Sequence, residues 1–145
     1  MIPWLLAVLH LLALGIGLGA IVNRGAALRG NLDANGVRRV LNADTAWGIA
    51  AMLWIATGLL RAFGGFEKGS SYYLDNHVFW AKMGLLALIL ALEISPMITF
   101  IRWRRRDAVI DAGRAPALAR ISFVQAALIV LMVFAATAMA RGIGL

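Results

Sequence analysis

Four long apolar stretches, separated by short polar segments, divide the chain. They cover approximately residues 3–22, 44–63, 78–101 and 121–140. Each is about 20 residues long, which is the length that an α-helix needs to cross the hydrocarbon core of a bilayer. Helices are expected because unpaired backbone polar groups in lipid cost several kcal/mol each. The pattern therefore predicts an all-α, polytopic membrane protein, a four-transmembrane-helix bundle that forms one domain over residues 1–145.

The basic residues fall mainly in two of the connecting segments, and they predict an orientation. Ten of the 14 lysines and arginines lie in the first and third loops or at their margins: Arg24, Arg29, Arg38, Arg39, Arg102, Arg104, Arg105, Arg106, Arg114 and Arg120. Basic loops are retained in the cytoplasm, so we expect both termini outside, N-out/C-out. The first stretch has no basic segment before it, which favours a retained helix over a cleaved signal peptide.

Composition excludes several classes of function. The chain is 62% hydrophobic and only 14% charged, and it has no cysteine and two histidines. Disulfides, thiolate metal sites and multi-histidine zinc sites are therefore not expected. The net charge of +7 is explained by the two basic loops, so no nucleic-acid partner is predicted.

Glu93 stands in the middle of an apolar run from Met83 to Ile101. A carboxylate at such a depth is unfavourable by roughly 2.5–3.5 kcal/mol on insertion scales, so it needs a partner, a proton or a polar cavity. One hypothesis is a structural pair with an inward-facing arginine or tryptophan. The other is a proton-bearing or ligand-contacting carboxyl. Lys82 lies on the same helix face, about three turns away.

His10 is the one histidine inside an apolar stretch. It either forms a hydrogen bond to a neighbouring helix or ligates haem iron, the common metal site that requires a single imidazole from a helical bundle. Gly15 and Gly19 form a GxxxG pattern on the same helix, which allows the close approach of another backbone.

The second apolar stretch carries one acid and two tryptophans. Asp44 stands at its start, where we expect it to cap the helix, with an additional ion pair to Arg24 or Arg38. Trp47 and Trp54 give the helix a broad flat surface. Packing against other helices accounts for that surface, and a planar porphyrin or quinone would also suit it.

Four stretches of the chain carry a family resemblance: LHLLALGIGLGA at 9–20, ADTAWGIAA at 43–51, FEKGSSYYLDNHVFWAKMGL at 66–85 and ITFIRWR at 98–104. They resemble a bacterial membrane-protein family known as domain of unknown function 2214. The resemblance runs over nearly the whole length. It implies a multi-pass protein of the bacterial inner (cytoplasmic) membrane and supplies no function.

A more distant resemblance is to the four-helix groups that include HemJ-type protoporphyrinogen oxidases and CopD-type copper-resistance proteins. HemJ-like proteins place a histidine in the first helix and a lysine at the start of a later helix, and His10 and Lys82 are similar in position. This resemblance implies haem b or another porphyrin as cofactor. The methionine- and histidine-rich ligands expected for copper handling are not evident in the middle loop.

Three functional hypotheses follow from these observations. The leading one is a small redox protein that binds haem or a related porphyrin, with His10 as the metal ligand. Its other cofactor-binding residues would be Arg24, Trp47, Trp54, Lys82 and Glu93. The alternative is a non-catalytic accessory subunit of a respiratory, photosynthetic or transport complex. A third is a proton-coupled carrier that uses Glu93. Expected partners are the lipid bilayer and either further copies of the chain or a larger membrane complex.

Overall fold

The computed structural model describes residues 1–144 and contains four long α-helices. Their apolar composition follows directly from the hydropathy pattern. The long helices are α1 (Ile2–Arg29), α2 (Ala34–Phe63), α4 (His77–Trp103) and α5 (Ala115–Ala140). All four are long and apolar enough to cross a membrane, and no strand occurs in residues 1–144. This confirms the predicted all-α, four-helix membrane fold.

Two short helices lie in the connections. A five-residue helix, α3 (Ser70–Leu74), follows α2, and a single 3₁₀ turn (Ala112–Arg114) precedes α5. The α2–α4 connection lies at the same end of the bundle as the C-terminal residues, because the His77 amide donates to the Gly144 carbonyl. We call this end the terminal end and the opposite one the arginine-rich end.

Each of the long helices extends beyond its apolar stretch, mainly at the arginine-rich end. At about 1.5 Å per residue, helices of 26–30 residues are about 40 Å long, whereas the hydrocarbon core is about 30 Å thick. Hydropathy marks the part that lies in hydrocarbon, while backbone hydrogen bonding continues into the headgroup layer. The helices are therefore long enough to reach both membrane surfaces.

The start of α2 differs from the prediction for Asp44. The residue that caps α2 is Asp33, whose carboxylate accepts a hydrogen bond of 2.8 Å from the Gly36 amide. Asp44 lies well inside the helix, so the prediction that it caps α2 is wrong. The helix begins earlier than the hydropathy indicates because the polar segment from 34 to 43 is helical as well. Gly36 fits this tight turn because a Cβ there would overlap the Asn31 carbonyl.

The helices pack in the order α2, α1, α5, α4, so that α1 and α5 have two neighbours each. The main core contains Ile21 of α1, Trp47 of α2, Ile89 of α4 and Ile129 of α5. Many large apolar side chains on the outside of the bundle remain exposed, as expected for a surface that contacts lipid.

Candidate functional site

The Arg24 side chain is the centre of a buried polar cluster that joins all four long helices. Its Nη1 donates to Glu93 Oε1 at 2.8 Å and to Asp44 Oδ1 at 2.9 Å. Its Nη2 donates to Glu93 Oε2 at 3.1 Å and to Gln125 Oε1 at 2.8 Å, and its Nε donates to Ser122 Oγ at 3.0 Å. A guanidinium has five N–H donors, and here all five have acceptors. We refer to these five residues as the Arg24 cluster.

The acceptors of the Arg24 cluster are held in place by further contacts. Gln125 Nε2 donates to Glu93 Oε2 at 2.8 Å and to the Ile89 carbonyl at 3.1 Å. The second oxygen of Asp44 accepts from Arg104 Nη2 at 2.8 Å. Two carboxylates therefore face two guanidinium groups, which balances the charge of the cluster.

This geometry shows which residue is the partner of Glu93. Both of its carboxylate oxygens accept hydrogen bonds from Arg24, whose side chain is 0% exposed. A buried acid in a membrane is stable when it is paired in this way. The arrangement therefore corresponds to the structural pair with an inward-facing arginine. The predicted ion pair between Asp44 and Arg24 is also present.

A second polar group lies in the other half of the bundle, at His10. Its Nδ1 lies 3.1 Å from the Trp54 carbonyl and 2.9 Å from Thr57 Oγ1. The Thr57 hydroxyl lies 2.7 Å from the Leu53 carbonyl, to which it donates, so its oxygen accepts from His10. Both neighbours of Nδ1 are then acceptors, which places the imidazole proton on Nδ1. Within residues 1–144, Nε2 has no hydrogen-bond partner and carries a free lone pair.

His10 lines a cavity of about 500 Å³ that lies among the four long helices at the terminal end. We call it the His10 cavity. Its walls are mostly apolar and include Trp54, Met83 and Met132. The Trp54 ring centroid lies 6.1 Å from that of His10. Gly58 leaves room for the imidazole, since a Cβ at this position would lie 3.1 Å from His10 Cε1.

Charged and phenolic groups line the terminal end of the His10 cavity. Arg61 Nε donates to Glu67 Oε1 at 2.6 Å, and the Tyr73 hydroxyl donates to Glu67 Oε2 at 2.8 Å. Burial by itself would raise the pKa of Glu67, but these two hydrogen bonds lower its pKa below the ordinary value. Burial, together with the bond to Glu67, raises the pKa of Tyr73 to about 12. Lys82 also lines the cavity, and no carboxylate within residues 1–144 pairs with it.

The six predicted cofactor-binding residues do not lie together in the structure. Five of them fall into two groups, and the sixth lies between the groups. His10, Trp54 and Lys82 line the His10 cavity, whereas Arg24 and Glu93 belong to the Arg24 cluster. His10 and Arg24 are 14 positions apart on α1, which corresponds to about 21 Å along the helix axis.

The sixth residue, Trp47, is buried between these two regions. Its ring packs against Gly17, where a Cβ would lie 3.3 Å from Cζ3. It therefore does not line the cavity.

Sequence reasoning missed three polar residues of the cavity: Arg61, Glu67 and Tyr73. Neither Arg61 nor Tyr73 stands out in the hydropathy pattern. In the structure, the ring centroid of Tyr73 lies 5.8 Å from that of Phe79. The three residues follow one another at intervals of six positions, and a loop lies between them. Helical periodicity therefore does not predict that Arg61, Glu67 and Tyr73 meet.

The donor set restricts what the cavity can hold. Within residues 1–144, no group of three or more histidine, cysteine, aspartate or glutamate side chains is arranged to hold a metal ion. A bare metal ion in the His10 cavity would therefore have a single imidazole as its protein ligand. A metal that brings its other ligands with it, as in a porphyrin, fits this donor set.

Comparisons with known proteins provide a family. No curated protein and no solved structure matches the chain. The family model described as "Predicted membrane protein (DUF2214)" matches residues 2–144, which is nearly the whole chain. The chain therefore belongs to this family of membrane proteins, domain of unknown function 2214.

Proposed function

We propose that the protein binds haem b or a related porphyrin in the His10 cavity, where Nε2 of His10 would hold the iron. The observation that carries this proposal is the state of the imidazole. Hydrogen bonds on Nδ1 fix the tautomer and the ring orientation, and Nε2 of this cavity-lining residue is left without a partner in the described chain. Histidines that ligate metals are oriented in this way, by donating their other N–H to a carbonyl or a similar acceptor.

The size and lining of the cavity support a planar, largely apolar ligand. A volume of about 500 Å³ is within the usual range for cofactor pockets, which are mostly apolar with a few polar groups. Trp54 supplies an aromatic wall beside His10, and Met83 and Met132 supply adaptable apolar contacts. The cavity walls come from all four helices, so they shield such a ligand from water.

Lys82 supports a ligand with an acidic edge. It is a cation on the cavity wall without a carboxylate partner in the described chain, whereas Arg61 is paired with Glu67. A porphyrin propionate would supply the missing negative charge. The resemblance of His10 and Lys82 to the corresponding residues of HemJ-like proteins agrees with this assignment. Bound haem would supply one-electron redox chemistry, and the protein would hold and orient it.

In this proposal the Arg24 cluster is the frame and not the site. It joins the helices at a level about 21 Å from His10 along α1, so the helices can separate around a cavity at the other end. The orientation that we propose is N-out/C-out in the bacterial inner membrane, which places the His10 cavity in the outer half of the bilayer.

The absorbance spectrum of the purified protein tests the proposal. We expect protein produced with an adequate haem supply to carry a Soret band that shifts on reduction with dithionite. His10→Ala removes the ligand and should remove the band, while His77→Ala, at the exposed start of α4, should retain it. A wild-type protein without a Soret band, or a band of equal intensity in His10→Ala, would contradict the proposal.

A second candidate is the accessory subunit, and the glycines of α1 favour it. A Cβ at Gly15 or Gly19 would have no neighbour within 4 Å, so packing inside the protomer does not require glycine at these positions. Such glycines allow the close approach of a helix from another chain. Purification from the native membrane in a mild detergent distinguishes the two. A stable larger complex without a chromophore would support the subunit, and a haem-containing protein that behaves alone would support the cofactor proposal.

A further inference from the structure

The segment from 64 to 76, which we call the strap, crosses the terminal end of the His10 cavity. It leaves α2 and is bonded to α2 and α5 by side chains. The strap residue Glu67 pairs with Arg61 of α2, and Tyr72 Oη donates to the Met139 carbonyl of α5 at 2.8 Å. Four strap residues line the cavity: Glu67, Lys68, Tyr72 and Tyr73. The strap therefore lies between the cavity and the aqueous phase.

Glu67 is the central connection of the strap. It accepts from both Arg61 and Tyr73, so it links α2 to the short helix α3 through one carboxylate. Gly65 and Gly69 flank it with φ angles of +71° and +86°, in the left-handed region that glycine adopts without strain. The carboxylate is thus presented by a turn between two glycines, and its side-chain bonds connect this turn to α2 and α3.

The other walls of the cavity reach the lipid-facing surface. Three lining residues on the membrane-spanning helices are themselves substantially exposed: Leu11 of α1 at 62%, Leu59 of α2 at 52% and Val133 of α5 at 37%. Their surroundings on these helices are apolar. A molecule dissolved in the bilayer can therefore approach the cavity past apolar side chains, whereas a molecule in water meets a polar strap held by charged bonds.

We infer that the His10 cavity is filled from the lipid phase, so that its ligand is a membrane-dissolved amphiphile whose acidic group lies at the strap, near Lys82. The inference deepens the proposed function, and it relies on that proposal only for the ligand being a porphyrin. A porphyrin belongs to this class, because its ring is apolar and its acidic groups lie along one edge. The strap then acts as the aqueous barrier of the site.

The route into the cavity can be measured without any ligand. Since the chain has no cysteine, Met83→Cys places a single thiol on the cavity wall beside Lys82. The protein is placed in lipid nanodiscs and treated with a charged sulfonate maleimide or with an uncharged, membrane-soluble maleimide. Ser71→Cys, exposed on the strap, reports the intrinsic reactivity of both reagents.

We expect the charged reagent to label Cys at position 83 at least about tenfold more slowly than Cys at position 71, while the uncharged reagent labels both. Adding Glu67→Gln should increase the charged-reagent rate at position 83 by about tenfold, the factor expected for losing hydrogen bonds to a charged group. The uncharged-reagent rate should not change. Asp75→Asn is the matched control, since it removes an exposed strap carboxylate that makes no side-chain hydrogen bond in the described chain.

Two results would overturn the inference. One is rapid labelling of position 83 by the charged reagent while Glu67 is intact, and the other is an equal effect of Glu67→Gln and Asp75→Asn. If Met83→Cys does not fold, Ala62→Cys provides a second reporter on the same cavity. These rates are measured without porphyrin, so the two proposals can fail separately. Labelling rates that contradict the lipid route can occur together with a Soret band, and labelling rates that agree with the route can occur although His10 binds no haem.

Discussion

At the scale of single residues, the Arg24 guanidinium explains how this chain tolerates two acids within its bundle. Each of its five donors has an acceptor, and these acceptors come from the other three long helices. A buried charge that is fully hydrogen-bonded and paired is tolerated, whereas the same charge without partners is strongly destabilising. The residues of the Arg24 cluster therefore depend on one another for their hydrogen bonds and charge balance.

Replacing Arg24 by methionine should destabilise the protein by about 3–5 kcal/mol, because Glu93, whose side chain is only 20% exposed, would lose its cation. Thermal unfolding in detergent, followed by circular dichroism, measures the effect. Arg29→Met is the control, since Arg29 is exposed and lies over the Phe123 ring at 4.8 Å. We expect that change to cost about 1 kcal/mol or less. Equal melting temperatures for the two variants would contradict a central role for Arg24.

The sequence could identify Glu93 as a residue that needs a partner, but it could not select the partner. Helical periodicity relates residues within one helix, and it placed Glu93 on the same face as Lys82. The partner, Arg24, lies on another helix. Its selection depends on the relative depth and rotation of two helices, which a single hydropathy pattern does not determine. The same limit explains why Arg24 and Glu93 were grouped with His10, although they lie in different halves of the bundle.

At the scale of the elements, the helix ends follow local chemistry more closely than hydropathy. Asp33 and Asn76 cap α2 and α4 with their side chains, and Gly64 follows the last residue of α2. The end of the second apolar stretch, at residue 63, coincides with the last residue of α2. The prediction that Asp44 caps α2 was wrong because an acid at the start of an apolar stretch cannot be distinguished from a capping residue by sequence position alone. Its true role, as an acceptor for Arg24 and Arg104, depends on neighbouring helices.

The strap should loosen in acid. The pKa of Glu67 is lowered in the folded protein, because hydrogen bonds from Arg61 and Tyr73 outweigh its burial. A carboxyl with a lowered folded-state pKa adds stability above its ordinary pKa of 4.5, and this stability is lost as the pH falls through the lowered value. We therefore expect unfolding temperature to fall more steeply below pH 4.5 in the wild type than in Glu67→Gln.

Thermal unfolding of the two proteins between pH 7 and pH 3 provides the measurement. The comparison isolates Glu67 because all other carboxylates are shared by the two proteins. Parallel curves over this range would show that the strap bonds of Glu67 do not contribute to stability. Glu67→Gln should also lower the pKa of Tyr73 from about 12, because the carboxylate is one cause of its increase.

At the scale of the whole molecule, the bundle has two levels with different properties. The half near the arginine-rich end is joined by the Arg24 cluster, and the half near the termini contains the His10 cavity. Most arginines lie at the arginine-rich end, for example Arg29 of α1 and Arg104, which follows α4. Through the preference of basic loops for the cytoplasm, this distribution predicts that the cavity faces the outer leaflet.

Cysteine labelling in intact cells checks this orientation. Ser71→Cys, on the strap, should react with a membrane-impermeant maleimide, whereas Ala112→Cys, at the arginine-rich end, should react only after permeabilisation. Both positions are exposed in the folded protein, so a difference between them reports the side of the membrane. The reverse pattern would place the basic loops outside.

The most direct measurement of the central claim is haem binding by His10→Gly with and without added imidazole. The substitution removes the imidazole side chain from the wall of the cavity, and free imidazole can occupy the space that it leaves. We predict that His10→Gly binds haem weakly and without the wild-type Soret band, and that imidazole restores the band in proportion to its concentration. A wild-type spectrum in His10→Gly without imidazole, or no haem binding by the wild-type protein, would contradict the account.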